Sequence, residues 1–135
     1  RINTHCPLHI FNGLIEAVSN STVALHAKAE YRWSQDDPLS ALELYKTAII
    51  KAPMEEKSYY NAGLVYMELD SIALAYDHFN MAIENSPLYV GAYFYRGYAS
   101  EVAGNLDAAK RDYEHALRLS PDYERAQEGL ARVSK

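Results

Sequence analysis

The residues of this sequence best suited to metal chemistry lie near its start, where His5, Cys6 and His9 form a His-Cys-x-x-His cluster. Imidazole nitrogen and thiolate sulfur are ligands that Zn²⁺ prefers, and a structural zinc site usually needs four of them. No neighbouring residue supplies an obvious fourth ligand. We therefore predict that the chain has no metal site.

The remaining titratable residues do not suggest a catalytic site either. His26, His78 and His115 are isolated from one another, and neither a Gly-rich phosphate loop nor a nucleophile–base pair is evident from the spacing. The acidic pairs Asp36-Asp37 and Glu55-Glu56 precede predicted helices, where carboxylates interact favourably with the positive end of the helix dipole. The sequence thus predicts no catalytic residue and no cofactor, and the protein is not expected to be an enzyme.

Composition narrows the classes of partner. The formal net charge is −5, which argues against nucleic-acid binding and against docking on an anionic membrane surface, since both favour basic surfaces. No apolar run approaches the roughly 18 residues of a membrane span, so direct membrane insertion is not expected. The hydrophobic fraction of 49% is that of a folded protein. A protein or peptide partner is compatible with this composition.

The elements that position these side chains follow a repeat of fixed period. Prolines recur every 34 residues, at Pro53, Pro87 and Pro121, and set the period. Small and aromatic residues recur at the same interval: Ala29, Gly63 and Gly97; Ala41, Ala75 and Ala109; Ala48, Ala82 and Ala116; Tyr45, Phe79 and Tyr113. A constant interval of this length indicates stacked copies of one supersecondary unit.

Each period reads as a pair of helices. In the middle period, residues 56–69 and 72–85 lack proline, a short turn at Asp70-Ser71 separates them, and Ser86-Pro87 ends the second. Gly63 and Ala75 lie where the two helices are expected to cross, because small side chains let helix backbones approach closely.

This pattern resembles the tetratricopeptide repeat family. The middle repeat carries the resemblance through Tyr59, Ala62-Gly63, Tyr66, Ala75, Phe79, Ala82 and Pro87. The third repeat departs from the family pattern at Arg96 and Ser100, where leucine and tyrosine are expected, and the first departs at Lys28 and Arg32. The resemblance implies an all-α fold, a right-handed superhelical solenoid of antiparallel helix pairs.

The period also divides the chain. We predict repeats at residues 22–55, 56–89 and 90–123, followed by a polar C-terminal capping helix at 124–135. Residues 1–21 form an N-terminal segment in which Leu8, Phe11, Ile15 and Val18 indicate an amphipathic helix over 8–20. That helix is either the second helix of a truncated upstream repeat or a dedicated cap.

The resemblance implies that the first helices of the pairs line a concave groove, where members of the family commonly hold peptide segments. The predicted peptide-binding residues are those of the first helices that point away from the packed side: His26, Glu30, Lys57, Tyr60, Asn61, Leu64, Glu68, Phe94, Tyr95, Tyr98 and Glu101. Their aromatic members are expected to form a continuous strip of interface anchors. The alternative is that these aromatics only pack between neighbouring first helices.

Two features of the groove refine its expected ligand. In family members that bind extended peptides, an asparagine at the place of Asn61 holds the peptide backbone through its amide, which both donates and accepts hydrogen bonds. The alternative is that asparagine is common at this place without any ligand. Family members that hold the C-terminal carboxylate of heat-shock chaperones use lysines, asparagines and an arginine. The positions matched to these read His26, Glu30, Asn61, Gly91 and Tyr95, of which only Asn61 fits. We therefore predict that this carboxylate clamp is absent.

The sequence thus predicts a non-catalytic protein–protein interaction module, an adaptor or scaffold that binds a peptide or helix of a partner in an aromatic groove. The alternative is an architectural segment of a longer repeat array, or a module that self-associates into a homo-oligomer. The sequence does not indicate the partner or the compartment.

Overall fold

The computed structural model describes residues 20–135, and every regular element in this range is an α-helix. The helices are α1 (Thr22–Ser34), α2 (Pro38–Lys51), α3 (Glu56–Glu68), α4 (Ile72–Asn85), α5 (Val90–Val102), α6 (Leu106–Leu119) and α7 (Glu124–Val133). Successive helices pack against each other along the chain, which confirms the predicted all-α solenoid of helix pairs. The His5, Cys6 and His9 cluster and nearly all of the predicted N-terminal helix lie outside the described residues.

The three helix pairs share one turn geometry. Asp36, Asp70 and Gly104, each one period from the next, have positive φ angles of 60°, 59° and 85°. The amide of the following residue then reaches back to the last turn of the first helix, for example from Ser71 to the Tyr66 carbonyl at 2.8 Å. A left-handed residue that closes a helix in this way satisfies its terminal carbonyls. Aspartate tolerates this conformation better than most non-glycine residues, so two repeats manage without glycine.

The recurring prolines are tied to the helices that follow them. The Tyr59 hydroxyl donates to the Pro53 carbonyl and the Tyr93 hydroxyl to the Pro87 carbonyl, both at 2.9 Å. Tyrosine is suited to this position because its ring is buried while its polar tip finds a partner. These bonds fix where the chain enters α3 and α5.

An aromatic column forms the centre of the core. Tyr45, Phe79 and Tyr113 are fully buried, one in the second helix of each pair. A Cβ atom built on Gly63 would lie 2.6 Å from Cε1 of Phe79, and one built on Gly97 would lie 3.1 Å from Cε1 of Tyr113. The small residues of the repeat therefore make room for the aromatic ring of the same pair.

Leucine at these crossings is expected to destabilise the fold. Ala75→Leu and Gly97→Leu should each lower the free energy of unfolding by about 1–3 kcal/mol, because overpacking forces neighbouring side chains to move. Ala75 is fully buried and Gly97 contacts Asp112 and Tyr113. Chemical denaturation measures the effect, and Ala131→Leu, at an exposed position of α7, is the matched control. If both variants unfold at the wild-type denaturant midpoint, the assignment of these two positions to the helix crossings is wrong.

The third repeat departs from the family pattern because it contains a polar network. Arg96 makes two hydrogen bonds to the Asp112 carboxylate, at 2.9 and 2.6 Å, and a third to Oδ1 of Asn80 at 2.7 Å. Its guanidinium also lies over the rings of Tyr76 and Tyr93. The network joins α4, α5 and α6, so it connects the second repeat to the third.

The solenoid has an inner and an outer side. Helix α3 contacts α5, and α5 contacts α7, whereas no comparable contact joins α2 to α4 or α4 to α6 within residues 20–135. The first helices are therefore closer together than the second helices, so the stack curves around its first helices. We call the surface formed by α1, α3, α5 and α7 the groove.

Candidate functional site

The groove contains an aromatic cluster at its centre. The Tyr60 ring lies 4.8 Å from that of Tyr89 and 5.8 Å from that of Tyr95, both edge-on, and 6.0 Å from that of Phe79. Tyr95 in turn stacks on Phe79 at 5.7 Å. Tyr60 and Tyr95 are half-buried by these contacts. The Tyr60–Tyr95 contact joins the first helices α3 and α5, and both side chains keep part of their surface exposed. Their role in peptide binding stays a prediction.

Gly91 allows this arrangement. A Cβ atom at position 91 would lie 3.0 Å from the Tyr60 hydroxyl oxygen, which is tighter than most side-chain contacts. Burial raises the pKa of Tyr60 and of Tyr89. An ordinary phenol is already neutral at physiological pH, and burial makes the ionisation of these two phenols harder still.

Arg125 is a groove residue that the predicted set omits. Its Nη1 donates a hydrogen bond of 2.8 Å to the Tyr95 hydroxyl. The guanidinium carbon lies 4.8 Å from the ring centroid of Phe94 and 5.1 Å from that of Tyr95. The period that relates Lys57 to Gly91 also relates Gly91 to Arg125. Extending the period into the last helix would therefore have found it.

A cleft of about 570 Å³ opens beside Arg125, between α5 and α7. Its apolar wall follows one face of α5 and its charged wall belongs mainly to α7; the lining residues are Phe94, Tyr98, Glu101, Val102, Arg125, Glu128 and Arg132. Tyr98 is 38% exposed, whereas Phe94 is only 4% exposed. Arg125 and Tyr123 cover the Phe94 ring, so Phe94 forms the floor of the cleft. Tyr98 is the accessible aromatic side chain.

The Glu101 carboxylate is bound by two other side chains of this protein. Its carboxylate pairs with Arg132 at 2.8 Å and accepts a hydrogen bond from the Tyr113 hydroxyl. The hydrogen bonds from Arg132 and then Tyr113 lower the pKa of Glu101 although burial opposes them. Glu101 thus holds α7 against α5 and forms one end of the cleft.

The other end of the groove is smaller and more acidic. A cleft of about 250 Å³ is lined by Val23, His26, Ala27, Glu30, Glu55 and Lys57. Glu30 and Lys57 are exposed, whereas His26 is buried with its Nε2 2.7 Å from the Ser58 hydroxyl. Burial lowers the pKa of His26, which keeps the imidazole neutral. Helical spacing predicted that His26 is exposed in the groove. In the structure it is buried and joins α1 to α3 through its contact with Ser58.

Three further predicted residues lie on α3. Leu64 is half-buried against the core, and the exposed Glu68 carboxylate accepts a hydrogen bond from the Trp33 indole. Asn61 is half-buried, and its amide makes no hydrogen bond within residues 20–135. A partly exposed amide that has no hydrogen-bond partner within residues 20–135 leaves both a donor and an acceptor for a ligand.

Neither a metal nor a membrane site is evident in the described part of the chain. Residues 20–135 contain no group of three His, Cys, Asp or Glu side chains arranged to hold a metal ion. None of the helices over the same residues has the length and apolar character required to span a bilayer.

Comparison with known families gives two matches, both to descriptions of the tetratricopeptide repeat, at residues 26–90 and 90–123. Among curated proteins, RNA polymerase II-associated protein 3 of Mus musculus is 29% identical over 121 residues, 90% of this chain. Serine/threonine-protein phosphatase 5 of Rattus norvegicus is 28% identical over 98 residues, 73% of this chain. The matches span only 18% and 20% of those proteins' own lengths.

A solved structure shows the same fold. It is described as the first TPR of Spaghetti (RPAP3) bound to the HSP90 peptide SRMEEVD, and it is 28% identical to this chain with a TM-score of 0.83. The superposition covers 86% of this chain and 92% of the solved one.

Proposed function

The chain belongs to the tetratricopeptide repeat family, and from this premise we propose that it is a protein–protein interaction module that holds a peptide segment of a partner in its groove. The likeness to a TPR domain solved with a peptide bound supports this function. So does the cleft between α5 and α7, in which an exposed tyrosine stands opposite an arginine. Tyrosine and arginine are the residue types most often found as interface anchors.

The observation that carries the proposal is the position of Arg125. Its guanidinium is already oriented by Tyr95 and Phe94, so little side-chain entropy is lost when a ligand binds. Arg125 forms no ion pair within residues 20–135. A ligand that places an apolar side chain on the Tyr98 ring and a hydrogen-bond acceptor at the Arg125 guanidinium would contact both walls of the cleft.

The acidic end of the groove adds a preference in charge. Glu30 and Glu55 line the small cleft beside a single cation, Lys57. A partner segment with a basic residue at this end and apolar residues toward Tyr98 therefore fits the groove. The amide of Asn61 would hold the backbone of such a segment if it binds in extended form.

The HSP90 peptide bound by the relative tests this preference. Two of the positions matched to the carboxylate clamp are occupied by aromatic packing here, because Gly91 lies against Tyr60 and Tyr95 stacks on Phe79. We expect SRMEEVD to bind this chain only weakly, with a Kd of ~1 mM or above. Titration by isothermal calorimetry measures this, and micromolar binding would show that Arg125 replaces the missing clamp.

A non-catalytic role fits this site. In this site the Glu101 carboxylate is paired with Arg132. The phosphatase relative matches over only 20% of its length, so its activity is not assigned to this chain. The acidic net charge still favours a protein partner over nucleic acid or a membrane surface.

The alternative function is architectural: a segment of a longer array, or a self-associating module. It would leave the groove covered by a neighbouring repeat or a second copy. Analytical ultracentrifugation of the chain distinguishes the two. A monomer that binds a selected peptide supports the interaction module, and a dimer that the peptide does not dissociate supports the alternative.

Peptide binding is predicted to depend on Tyr98 and Arg125, which line the cleft between α5 and α7. Tyr98→Ala and Arg125→Ala should each weaken binding of a peptide selected by phage display on the immobilised chain by about 2 kcal/mol, close to thirtyfold. Tyr98 is preferable to Tyr60 as a probe because its ring is more exposed and supports less of the core.

Lys110→Ala and Arg118→Ala are the matched controls, because both side chains are exposed on α6, away from the groove. Circular dichroism should show unchanged helical content for all four variants. If the α6 variants weaken binding while the groove variants bind normally, the site lies on the outer side of the solenoid.

A further inference from the structure

A second cleft, outside the groove, lies between the second and third repeats. Its volume is about 500 Å³, and it is bounded by the start of α4 and by the end of α5. Ala73 and Tyr76 line it on one side, and Ala99, Ser100 and Ala103 line it on the other. Asp77 lies at the same opening.

The junction between the first and second repeats shows why this cleft exists. One period earlier in the chain, the counterparts of Ala73, Ala99, Ser100 and Ala103 are Leu39, Val65, Tyr66 and Leu69. Val65 is fully buried, Tyr66 is buried against His78, and Leu69 packs on the core. Leu69 is the leucine that fills the first junction, since Leu39 is 64% exposed; all four positions carry smaller side chains at the second junction.

Arg96 accounts for only part of the missing volume. It replaces Ala62 of the preceding repeat and extends to Asn80 and Asp112, the counterparts of Lys46 and His78. Lys46 and His78 are neighbours of Tyr66, so Arg96 takes the place of the tyrosine ring. Arg96 does not line the cleft, so the space that Leu69 fills at the first junction stays open at the second.

The carboxylate at the opening also differs between the two junctions. At the first junction Glu43, the counterpart of Asp77, pairs with Lys46 at 3.3 Å. At the second junction the counterpart of Lys46 is Asn80, which carries no charge and accepts a hydrogen bond from Arg96. Within residues 20–135 Asp77 makes no ion pair.

We infer that this cleft is a docking site for a leucine side chain of a partner segment that carries a lysine or arginine next to it. The partner supplies from outside what the first junction contains within the chain: an aliphatic side chain between the helix ends and a cation for the carboxylate. The cleft is apolar apart from Ser100, Asn105 and Asp77, which suits an aliphatic ligand with one charged neighbour. This second site is independent of the groove.

The probes are two blocked dipeptides, acetyl-Leu-Lys-amide and acetyl-Leu-Glu-amide, titrated at millimolar concentration into the ¹⁵N-labelled 135-residue chain. We expect chemical-shift changes confined to amides of residues 72–77 and 99–105, with tighter binding of the lysine peptide. Asp77→Asn should lower the affinity for the lysine peptide by about two- to fivefold, as expected for an exposed ion pair.

Filling the cleft gives the decisive comparison. Ala103→Leu restores the residue found at Leu69, and both positions immediately follow the last residue of a first helix, so the backbone is suited to the change. It should abolish binding. Ala73→Leu, which introduces the residue found at position 39, should do the same by placing a larger side chain on the other wall. Ala131→Leu, on α7, should leave binding unchanged.

Absence of shift changes near the cleft, or shift changes that persist in both filled variants, would overturn the docking site. Equal affinity of the two dipeptides would overturn the role of Asp77. Neither outcome bears on the proposed function, because the groove residues Tyr98 and Arg125 lie on other surfaces of the solenoid.

Discussion

Phe79→Ala is expected to lower the free energy of unfolding by about 3–5 kcal/mol, the range for removing a buried phenylalanine. Phe79 is fully buried, and its ring fills the space above Gly63. The site is unable to collapse easily, because Gly63 offers no side chain and the neighbouring helices are held by other contacts. Urea denaturation monitored by circular dichroism measures the loss.

The same substitution should affect the groove. Tyr60 and Tyr95 both contact the Phe79 ring, so its removal frees two groove side chains at once. We expect peptide binding to weaken even at temperatures where the variant is folded. Phe79→Leu is the control, since it keeps most of the buried volume and should cost less than half as much. An alanine variant within about 1 kcal/mol of wild type would show that the core repacks around the cavity.

Asp112→Ala is expected to lower the free energy of unfolding by about 3 kcal/mol, near the lower end of the range for breaking a buried ion pair. Asp112 accepts two hydrogen bonds from Arg96, and their side chains are 10% and 19% exposed. Without the carboxylate, the guanidinium keeps only Asn80 and the faces of Tyr76 and Tyr93 as partners. A charge that is largely desolvated and incompletely paired is the source of the penalty.

The double variant Arg96→Leu, Asp112→Leu separates this penalty from the value of the pair itself. Replacing a buried pair with apolar residues of similar volume is often neutral or stabilising, so the double variant should be more stable than Asp112→Ala. Chemical denaturation of wild type, Asp112→Ala and the double variant provides the comparison. A double variant less stable than Asp112→Ala would mean that the network contributes net stability to the junction between repeats.

The fold was predictable because its information is local and repeated. Proline ends each pair of helices through the loss of an N–H group, and small residues recur where aromatic rings need space, so one period describes the whole stack. Asp36, Asp70 and Gly104 occupy the same turn position for the same reason. The repeat boundaries and the N-terminal helix remain predictions.

The groove was predictable in part. Helical spacing selects the residues that point away from the packed side of one helix, and it gave Tyr60, Tyr95 and Tyr98 their common surface. It carries no information on how far neighbouring helices cover that surface, so the burial of Phe94 and His26 was not foreseen. The contribution of these residues to peptide binding is still to be tested.

What the sequence determined by itself is the architecture: helix ends, helix pairing and the order of repeats follow from residues that act within one period. What only the tertiary structure decided is how the periods differ. Arg96 looked like a departure from the family pattern, yet it takes the place of a tyrosine ring and joins three helices through Asn80 and Asp112. Arg125 reaches from the last helix back to Tyr95 on α5. Contacts of this kind depend on the distance and orientation between helices, and those are set by the packing of the whole stack.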